Sequence, residues 1–262
     1  MEWLLQAVGK TGATWDLWGP AASGVVVEEG GLSDLRGVRD EASFQVVGRD
    51  GVRRTPVRFR PLSLRLSLVF YPHKGLPVGR VLHDWLEAWQ RGGTLVLSNP
   101  AGGRWELPCR IPDDSKLSEC QAQPDRAGFA RMDFDLVADG GCWVQRLSSV
   151  DSVVEIENFG ESVVCPRLGW GGNSYSASVT DLATGARVTV PSSSSGRRVL
   201  SFDVGESFMV TDADGVPDDA LWRRVRGDVF GIAIPPGGSR RLQVGGSGSR
   251  LEWEIGTSTP WL

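Results

Sequence analysis

Short segments that alternate apolar and polar residues recur along this chain, and they constrain its fold more than any other feature. In the clearest segment, from Arg58 to Phe70, apolar residues occupy positions 62, 64, 66, 68 and 70, and Ser63, Arg65 and Ser67 lie between them. A period of two is typical of a β-strand that packs one face on a core. The 34 glycines and 15 prolines favour frequent turns. We therefore expect a mostly-β fold.

One segment changes period and predicts a helix. Between Pro77 and Arg91, apolar residues recur at spacings of three and four, which is typical of an amphipathic helix. Pro77 suits the first helical turn, and Gly92 suits the end of the helix. This is the only helix that we predict. The first half is therefore an α+β unit dominated by sheet.

The second half shows only short β segments separated by turns. We predict strands at Val153–Glu157, Ser162–Trp170, Ser174–Asp181, Ala186–Val190, Arg198–Val204, Ser207–Thr211, Asp228–Ile234, Ser239–Val244 and Arg250–Ile255. Strands at this regular spacing favour a β-sandwich. A length of 262 residues favours two domains. We place the boundary in the polar stretch Leu147–Ser152, which gives an N-terminal domain of residues 1–149 and a C-terminal domain of residues 150–262.

Composition excludes several classes of function. The net charge of −4 argues against general nucleic-acid binding, which needs a basic field. No apolar stretch reaches membrane-spanning length, and the first residues lack a signal-peptide pattern, so we expect folding in a cytoplasm. Cys109, Cys120, Cys142 and Cys165 form no CxxC pair, which favours buried free thiols over a metal site. A Cys109–Cys120 disulfide across a hairpin is the alternative.

Two ligand-binding motifs are incomplete. Gly9-Lys10-Thr11 ends like a phosphate-binding loop, but Leu4 stands where that motif needs its first glycine. Asp212–Gly215 begins like a calcium loop, but its glycine comes two positions early and Arg223 replaces the final glutamate. An Asp-Gly turn in solvent is the favoured interpretation of this second segment. We predict no cofactor and no metal.

No catalytic constellation is apparent either. Asp133 and Asp135 lie on one face of a strand whose other face carries Met132 and Phe134. Paired carboxylates can hydrolyse glycosides, but a solvent-facing strand explains these two without further assumption. The chain has only two histidines and no nucleophile elbow, so we expect no enzymatic activity.

Tryptophans near predicted loops are the candidate contact residues. The chain has eleven, and Trp170, which is followed closely by Asn173, and Trp222 border loops of the predicted sandwich. Such side chains can stack on a sugar ring, close a core or bury at a subunit contact. We take Trp170, Asn173 and Trp222 as candidate partner or glycan contacts.

Two sets of segments follow one another in a characteristic order. Those in the first half are Arg58–Leu66, Gly92–Leu97, Trp105–Arg110 and Met132–Leu136. Those in the second half are Ile156–Gly160, Pro166–Leu168, Asp181–Gly185, Leu200–Asp203 and Ile234–Gly237. This order resembles that of the distal tail proteins (Dit) of long-tailed siphophages, called minor tail proteins in many phages of actinobacteria. The resemblance implies a split-barrel-like N-terminal domain and a C-terminal galectin-like sandwich.

It also implies an architectural role in the virion tail tip, with assembly in the cytoplasm of the bacterial host. Six copies would form a homohexameric ring that joins the tail tube to the tip hub and lets the tape measure protein and DNA pass. The implied partners are the chain itself, the tail tube protein, the tape measure protein and the tail-tip hub. The alternative is a carbohydrate-binding or adhesin module that contacts a glycan of the host envelope.

Overall fold

The structure of the protein, a computed structural model, describes residues 3–18, 23–41, 43–45, 53–54, 57–112, 124–171, 176–192 and 196–261. The fold is mostly β, as predicted. Two compact units are present: unit 1 consists of Met1–Gln145 and Thr257–Leu262, and unit 2 of Arg146–Gly256. The division into a ring-forming domain and a sandwich domain stays a prediction. None of the helices in the described ranges has the length and apolar character needed to cross a membrane.

Unit 1 is built from strands and two helices. They are β1 (Leu4–Gly9), β2 (Thr14–Asp16), β3 (Val25–Ser33), β4 (Arg39–Asp40), β5 (Ser43–Phe44), β6 (Arg53–Arg54), β7 (Arg58–Phe59), β8 (Leu62–Phe70), α1 (Val78–Trp89), β9 (Gly93–Ser98), β10 (Arg104–Cys109), α2 (Pro124–Ala127), β11 (Ala130–Ala138) and β12 (Trp143–Ser149), which leads into unit 2. In the described residues β12, β10, β9, β1 and β2 lie side by side, and a second sheet has the order β11, β8, β3.

The predicted helix is confirmed as α1. Its apolar stripe is buried, and Gly92 follows it in the left-handed conformation, with a backbone N–H that donates to the carbonyl of Trp89 at 2.8 Å. Pro77 occupies the N-cap position, just before the first turn, and its carbonyl accepts a hydrogen bond from the backbone N–H of Val81 at 3.2 Å. The sequence therefore places this helix to within two residues.

The core of unit 1 is centred on Trp85. This fully buried ring stacks on Trp89 at 5.2 Å and meets the edges of Trp15 and Phe70 at 4.9 and 6.0 Å. The alternation of β8 is confirmed, because its even-numbered leucines are buried and Ser63 and Arg65 are exposed. β8 pairs with β11 along nine residues without a shift in register. Helix and sheet thus meet through large apolar side chains.

Unit 2 contains the remaining elements. They are β13 (Val153–Glu157), β14 (Arg167–Trp170), β15 (Ser176–Asp181), β16 (Arg187–Pro191), β17 (Arg198–Ser201), β18 (Val210–Asp212), α3 (Asp219–Val225), β19 (Ser239–Gly245) and β20 (Arg250–Thr257). One sheet has the order β13, β19, β15, β16, and in the other β18, β17, β14 and β20 lie side by side. Each sheet buries one apolar face, as in a sandwich.

The prediction that the second half lacks a helix is wrong. Helix α3 begins after Asp218, whose carboxylate accepts a hydrogen bond from the backbone N–H of Leu221 at 3.0 Å. Leu221 and Val225, four residues apart, are its buried positions. Two turns with two apolar residues are too short to show a clear period in the sequence.

Two predicted strands also differ from the structure. Asp228–Ile234 is not a strand, and only Ile234 forms an isolated bridge, with Val164. In the segment predicted at Ser207–Thr211, Ser207 and Phe208 belong to a turn, and strand β18 begins only at Val210. In the first segment the backbone N–H of Ile232 donates to the carbonyl of Phe202, whereas Ile234 bonds to Val164, so no continuous ladder forms. Apolar content alone does not reveal this arrangement.

Candidate interaction surfaces

The indole of Trp170, a predicted contact residue, lies inside unit 2. Its side chain is only 1% exposed, and its N–H donates to the carbonyl of Pro191 at 3.1 Å. A sugar ring needs an open aromatic face for stacking, and Trp170 offers none. Its role is packing, which corrects the expectation of a direct contact. Asn173 lies outside the described residues.

Trp222, on α3, is half-buried and supports a strained turn. Its indole N–H donates to the carbonyl of Ser207 at 2.9 Å, and Ser207 and Phe208 both have positive φ angles, of 54° and 57°. The guanidinium of Arg226 lies 4.8 Å from the centre of the indole ring. The indole N–H of Trp222 is therefore already hydrogen-bonded, and the Arg226 guanidinium covers part of the indole ring. A contact between Trp222 and a partner protein or a glycan remains a prediction.

The Asp212 segment is a tight turn, as favoured by the sequence. One carboxylate oxygen of Asp212 accepts hydrogen bonds from the backbone N–H groups of Asp214 and Val216, both at 2.9 Å. Gly215 has a φ of 82°, which the turn requires. No group of three or more potential metal-ligating side chains occurs in the part of the chain that the structure describes.

Asp133 belongs to a polar sheet face in unit 1. One of its oxygens accepts from the hydroxyl of Ser67 at 2.5 Å, and the other pairs with the guanidinium of Arg65. The Ser67 hydrogen bond, followed by that from Arg65, lowers the pKa of Asp133 below its ordinary value. A glycosidase needs one carboxyl group with a raised pKa as its acid. Asp133 is unsuited to that role.

The thiols of Cys109 and Cys165 both have a raised pKa. Cys109 is a buried free thiol, and burial raises its pKa to about 12. Burial also raises the pKa of Cys165, to about 11, with a further contribution from nearby Asp203. Both groups are therefore protonated at neutral pH, and the thiolate is the reactive form. Cys120, the alternative disulfide partner, lies outside the described residues.

The outer face of the sheet β13–β19–β15–β16 in unit 2 is polar. Glu155 lies opposite Arg241, and Thr180 lies between Gln243 and Arg187 in the register of the four strands. Within the described residues β13 and β16 are the edges of this sheet. Polar sheet faces and strand edges can form wet contacts with other proteins.

Two exposed tryptophans lie at the edge of the larger sheet in unit 1. Trp3 precedes β1 and Trp18 follows β2, so both lie at the open end of the β1–β2 hairpin. They are 38% and 37% exposed. Large half-exposed aromatic side chains at a sheet edge are typical of a protein contact, because the ring has a large apolar area and few rotamers to restrict. We take this pair as a candidate apolar contact surface of unit 1.

Comparison with known proteins shows which solved structures share the fold of this chain. No protein-family model matches the sequence, and no curated protein matches it. Among solved structures, the SPP1 Dit protein (gp 19.1), a paradigm of the hub adsorption apparatus in phages infecting Gram-positive bacteria, is similar with a TM-score of 0.51 and 13% identity over 98% of this chain and 99% of that one. The phage P2 baseplate in its activated conformation with Ca is similar with a TM-score of 0.56 and 10% identity, over 97% and 98%. The same baseplate with Sr gives a TM-score of 0.54 and 9% identity over 97% and 98%. The chain therefore has the fold of phage Dit and baseplate proteins.

Proposed function

We propose that this chain is a structural protein of a phage tail tip that forms a homohexameric ring. The observation that carries the proposal is the extent of the structural likeness, which covers 97% or more of the chain and of each neighbour. Both units are therefore included, rather than one common sandwich module. A match over the whole chain supports a shared architecture more strongly than one sandwich does, since sandwiches occur in many unrelated proteins.

In this proposal the two units have different tasks. Unit 1 would build the ring and its channel, and unit 2, as a galectin-like domain, would contact other tip proteins. The tail tube protein, the tape measure protein and the tip hub are the proposed partners, in a virion assembled in the cytoplasm of an actinobacterial host. A chain with a net charge of −4 would give an acidic ring, from which DNA is repelled as it passes. No catalytic step is part of the role.

We infer that Trp3 and Trp18 lie at the contact between neighbouring copies. A ring needs a surface on each copy that meets a different surface on the next. The open end of the β1–β2 hairpin offers two aromatic side chains beside an edge strand that pairs on one side only in the described residues. A neighbouring copy that covers this end would bury both rings.

Native mass spectrometry of the full chain, alone and with purified tails lacking this protein, tests the proposal. We expect hexamers, six-fold rings in electron micrographs, and attachment at the tail tip. The double variant W3S/W18S should weaken assembly, and Leu182→Ser, which changes an exposed apolar residue of unit 2, should not. A chain that stays monomeric and never joins tails would overturn the proposal. Equal effects of the two variants would overturn the assigned contact.

A further inference from the structure

The sheet β13–β19–β15–β16 in unit 2 ends in two strands that each pair on one side only, among the residues that the structure describes. β13 pairs with β19, and β16 pairs with β15. Every pairing in this sheet is antiparallel, so β13 and β16 run in opposite directions. A second copy placed beside the first in the same orientation therefore brings its β13 to β16 in the direction that an antiparallel ladder needs.

The backbone of β13 directs every second residue away from β19. Just after β13, the N–H of Asn158 donates to the carbonyl of Gly238 at 2.9 Å. Bonded pairs alternate along an antiparallel ladder, so the even-numbered residues of β13 are the ones that bond to β19. The residues whose N–H and carbonyl groups face outward at this edge are therefore Val153, Glu155 and Glu157.

The strand β16 shows the same alternation at the other edge. The N–H of Asp181, in β15, donates to the carbonyl of Ala186 at 2.9 Å. The register of the two strands then makes the even-numbered residues of β16 bond to β15. The residues whose backbone groups face outward are Arg187, Thr189 and Pro191. Since proline has no N–H, the last of these offers its carbonyl alone.

The side chains at the two edges are oppositely charged. Glu155 and Glu157 are exposed on β13, and Arg187 is exposed on β16. On both strands the alternate residues are buried, so these charged side chains lie on the outer face of the sheet. In the described part of the chain neither glutamate forms an ion pair, and Arg187 donates to the hydroxyl of Ser178 at 3.4 Å. The charges at both edges are therefore available to a partner.

We propose that the β16 edge of one copy pairs with the β13 edge of a second copy. One register brings together outward-facing residues only, and its pairs, with the residue of the second copy given last, are Arg187 with Glu157, Thr189 with Glu155, and Pro191 with Val153. Each pair exchanges two backbone hydrogen bonds, except that Pro191 only accepts one. The first pair also places opposite charges directly across the ladder, which stabilises it.

The same features disfavour pairing between two identical edges. Two β13 edges would bring Glu155 and Glu157 of one copy close to those of the other, and like charges across a ladder repel. Two β16 edges would leave two prolines without a donor, whereas the mixed pairing leaves one. A contact between different edges also leaves a free edge on each copy of a pair, so it can link more than two copies.

This contact goes beyond the proposed role, because it holds equally for copies that never join a tail. It also differs from the proposed ring contact, since Trp3 and Trp18 belong to unit 1 and both edges belong to unit 2. Rings and tail attachment are measured by mass and by microscopy, whereas the edge contact can be trapped covalently.

Disulfide trapping in the full chain tests the edge contact. The variant Glu155→Cys with Thr189→Cys places two thiols in one bonded pair, whose Cα atoms lie about 5.5 Å apart, within disulfide range. Inside one copy β19 and β15 separate these positions by about 14 Å, which is too far. Mild oxidation should therefore give dimers, trimers and larger species on a non-reducing gel. The control Glu155→Cys with Arg224→Cys, the second position being exposed on α3, should not exceed the wild-type background.

Charge reversal in the same cysteine variant tests the register. Arg187→Glu alone, or Glu157→Arg alone, should lower the yield of linked species by about threefold or more, because like charges then lie opposite each other. Both reversals together place opposite charges across the contact again and should restore the yield. The two positions lie at opposite edges of one sheet, so they cannot pair within a single copy.

Linked species no larger than dimers, or an equal yield from the control pair, would overturn the proposal. So would a doubly reversed variant whose yield stays as low as that of the single reversals. Circular dichroism identifies a misfolded variant, and Glu157→Cys with Arg187→Cys then replaces the first cysteine pair in the same register. Rings at tail tips without linked species would contradict the edge contact alone, and linked species from a chain that forms no rings would contradict the ring alone.

Discussion

Gly92 shows how a single residue sets the path between α1 and β9. Its φ of +83° lies in the left-handed region, which costs other residues about 1–2 kcal/mol. An added Cβ would also lie 2.2 Å from the carbonyl oxygen of Cys109 and 2.6 Å from the Cα of Arg110. Both neighbours are backbone atoms, so a side-chain rotation cannot relieve the clash. The position needs glycine for its conformation and for its lack of a side chain.

We expect Gly92→Ala to lower the free energy of unfolding by at least about 3 kcal/mol, because strain and clash add. Gly75→Ala is the matched control: its φ is +80°, but no atom lies within 4 Å of an added Cβ. It should lose only about 1 kcal/mol. Urea unfolding of both variants measures the difference. Losses of equal size would show that the close contact has no energetic weight.

At the scale of elements, α3 depends on its N-cap residue, Asp218. Asp218 uses one carboxylate oxygen to cap the backbone N–H of Leu221, and the other accepts from Arg198 Nε at 2.9 Å. The Leu221 bond, followed by that from Arg198, lowers the pKa of Asp218 below its ordinary value of 3.8. The ionised form therefore stabilises the folded state.

Asp218→Ala should cost about 1–2 kcal/mol of stability, and Asp219→Ala, one position later and without a cap bond, less than about 0.5 kcal/mol. Asp218→Asn keeps a capping oxygen but loses the charge, so its loss should fall between the two. The folded-state pKa of Asp218 is the lower one, so its contribution is present above pH 3.8 and is lost as the pH falls through the folded value. The difference between wild type and Asp218→Asn should therefore shrink on acidification. A pH-independent difference in urea midpoints would contradict this.

At the scale of the whole molecule, the last residues belong with unit 1. The carbonyl of Ser258 accepts from the backbone N–H of Gly37 at 3.0 Å, and the ring of Trp261 meets that of Trp143 edge-on at 6.4 Å. Thr257, Ser258 and Thr259 are buried. The chain therefore leaves unit 1, forms unit 2 and returns.

Deleting residues 258–262 should destabilise unit 1 by roughly 2–3 kcal/mol, because it removes an aromatic contact and leaves the Gly37 N–H without its acceptor. Hydrogen exchange should rise in peptides around residues 35–41 and 143–145, while β15 and β19 of unit 2 keep their protection. Trp261→Ala is the milder comparison and should cost about 1 kcal/mol. Faster exchange confined to unit 2 would contradict the assignment of the tail to unit 1.

How far the sequence predicts each feature depends on the range of the interaction. The sequence predicts the strand β8 and the helix α1, because each buries a face at regular spacing that appears directly in the order of residues. It does not predict helix α3, because the cap at Asp218 and its contact with Arg198 define that helix rather than a period. Among the candidate contact residues, Trp170 lies in the core and not at a surface.

By itself, the sequence determined that the chain is mostly β, which faces of β8 and β11 are apolar, and where the main helix begins and ends. These features follow from local periodicity and turn chemistry. Only the tertiary structure decided that the terminal segment joins unit 1, and that Arg197, Arg250 and Glu252 meet over Gly169. The register of paired strands and the return of the C-terminal residues to unit 1 bring together residues that are far apart in the sequence. No local pattern in the sequence encodes these long-range contacts.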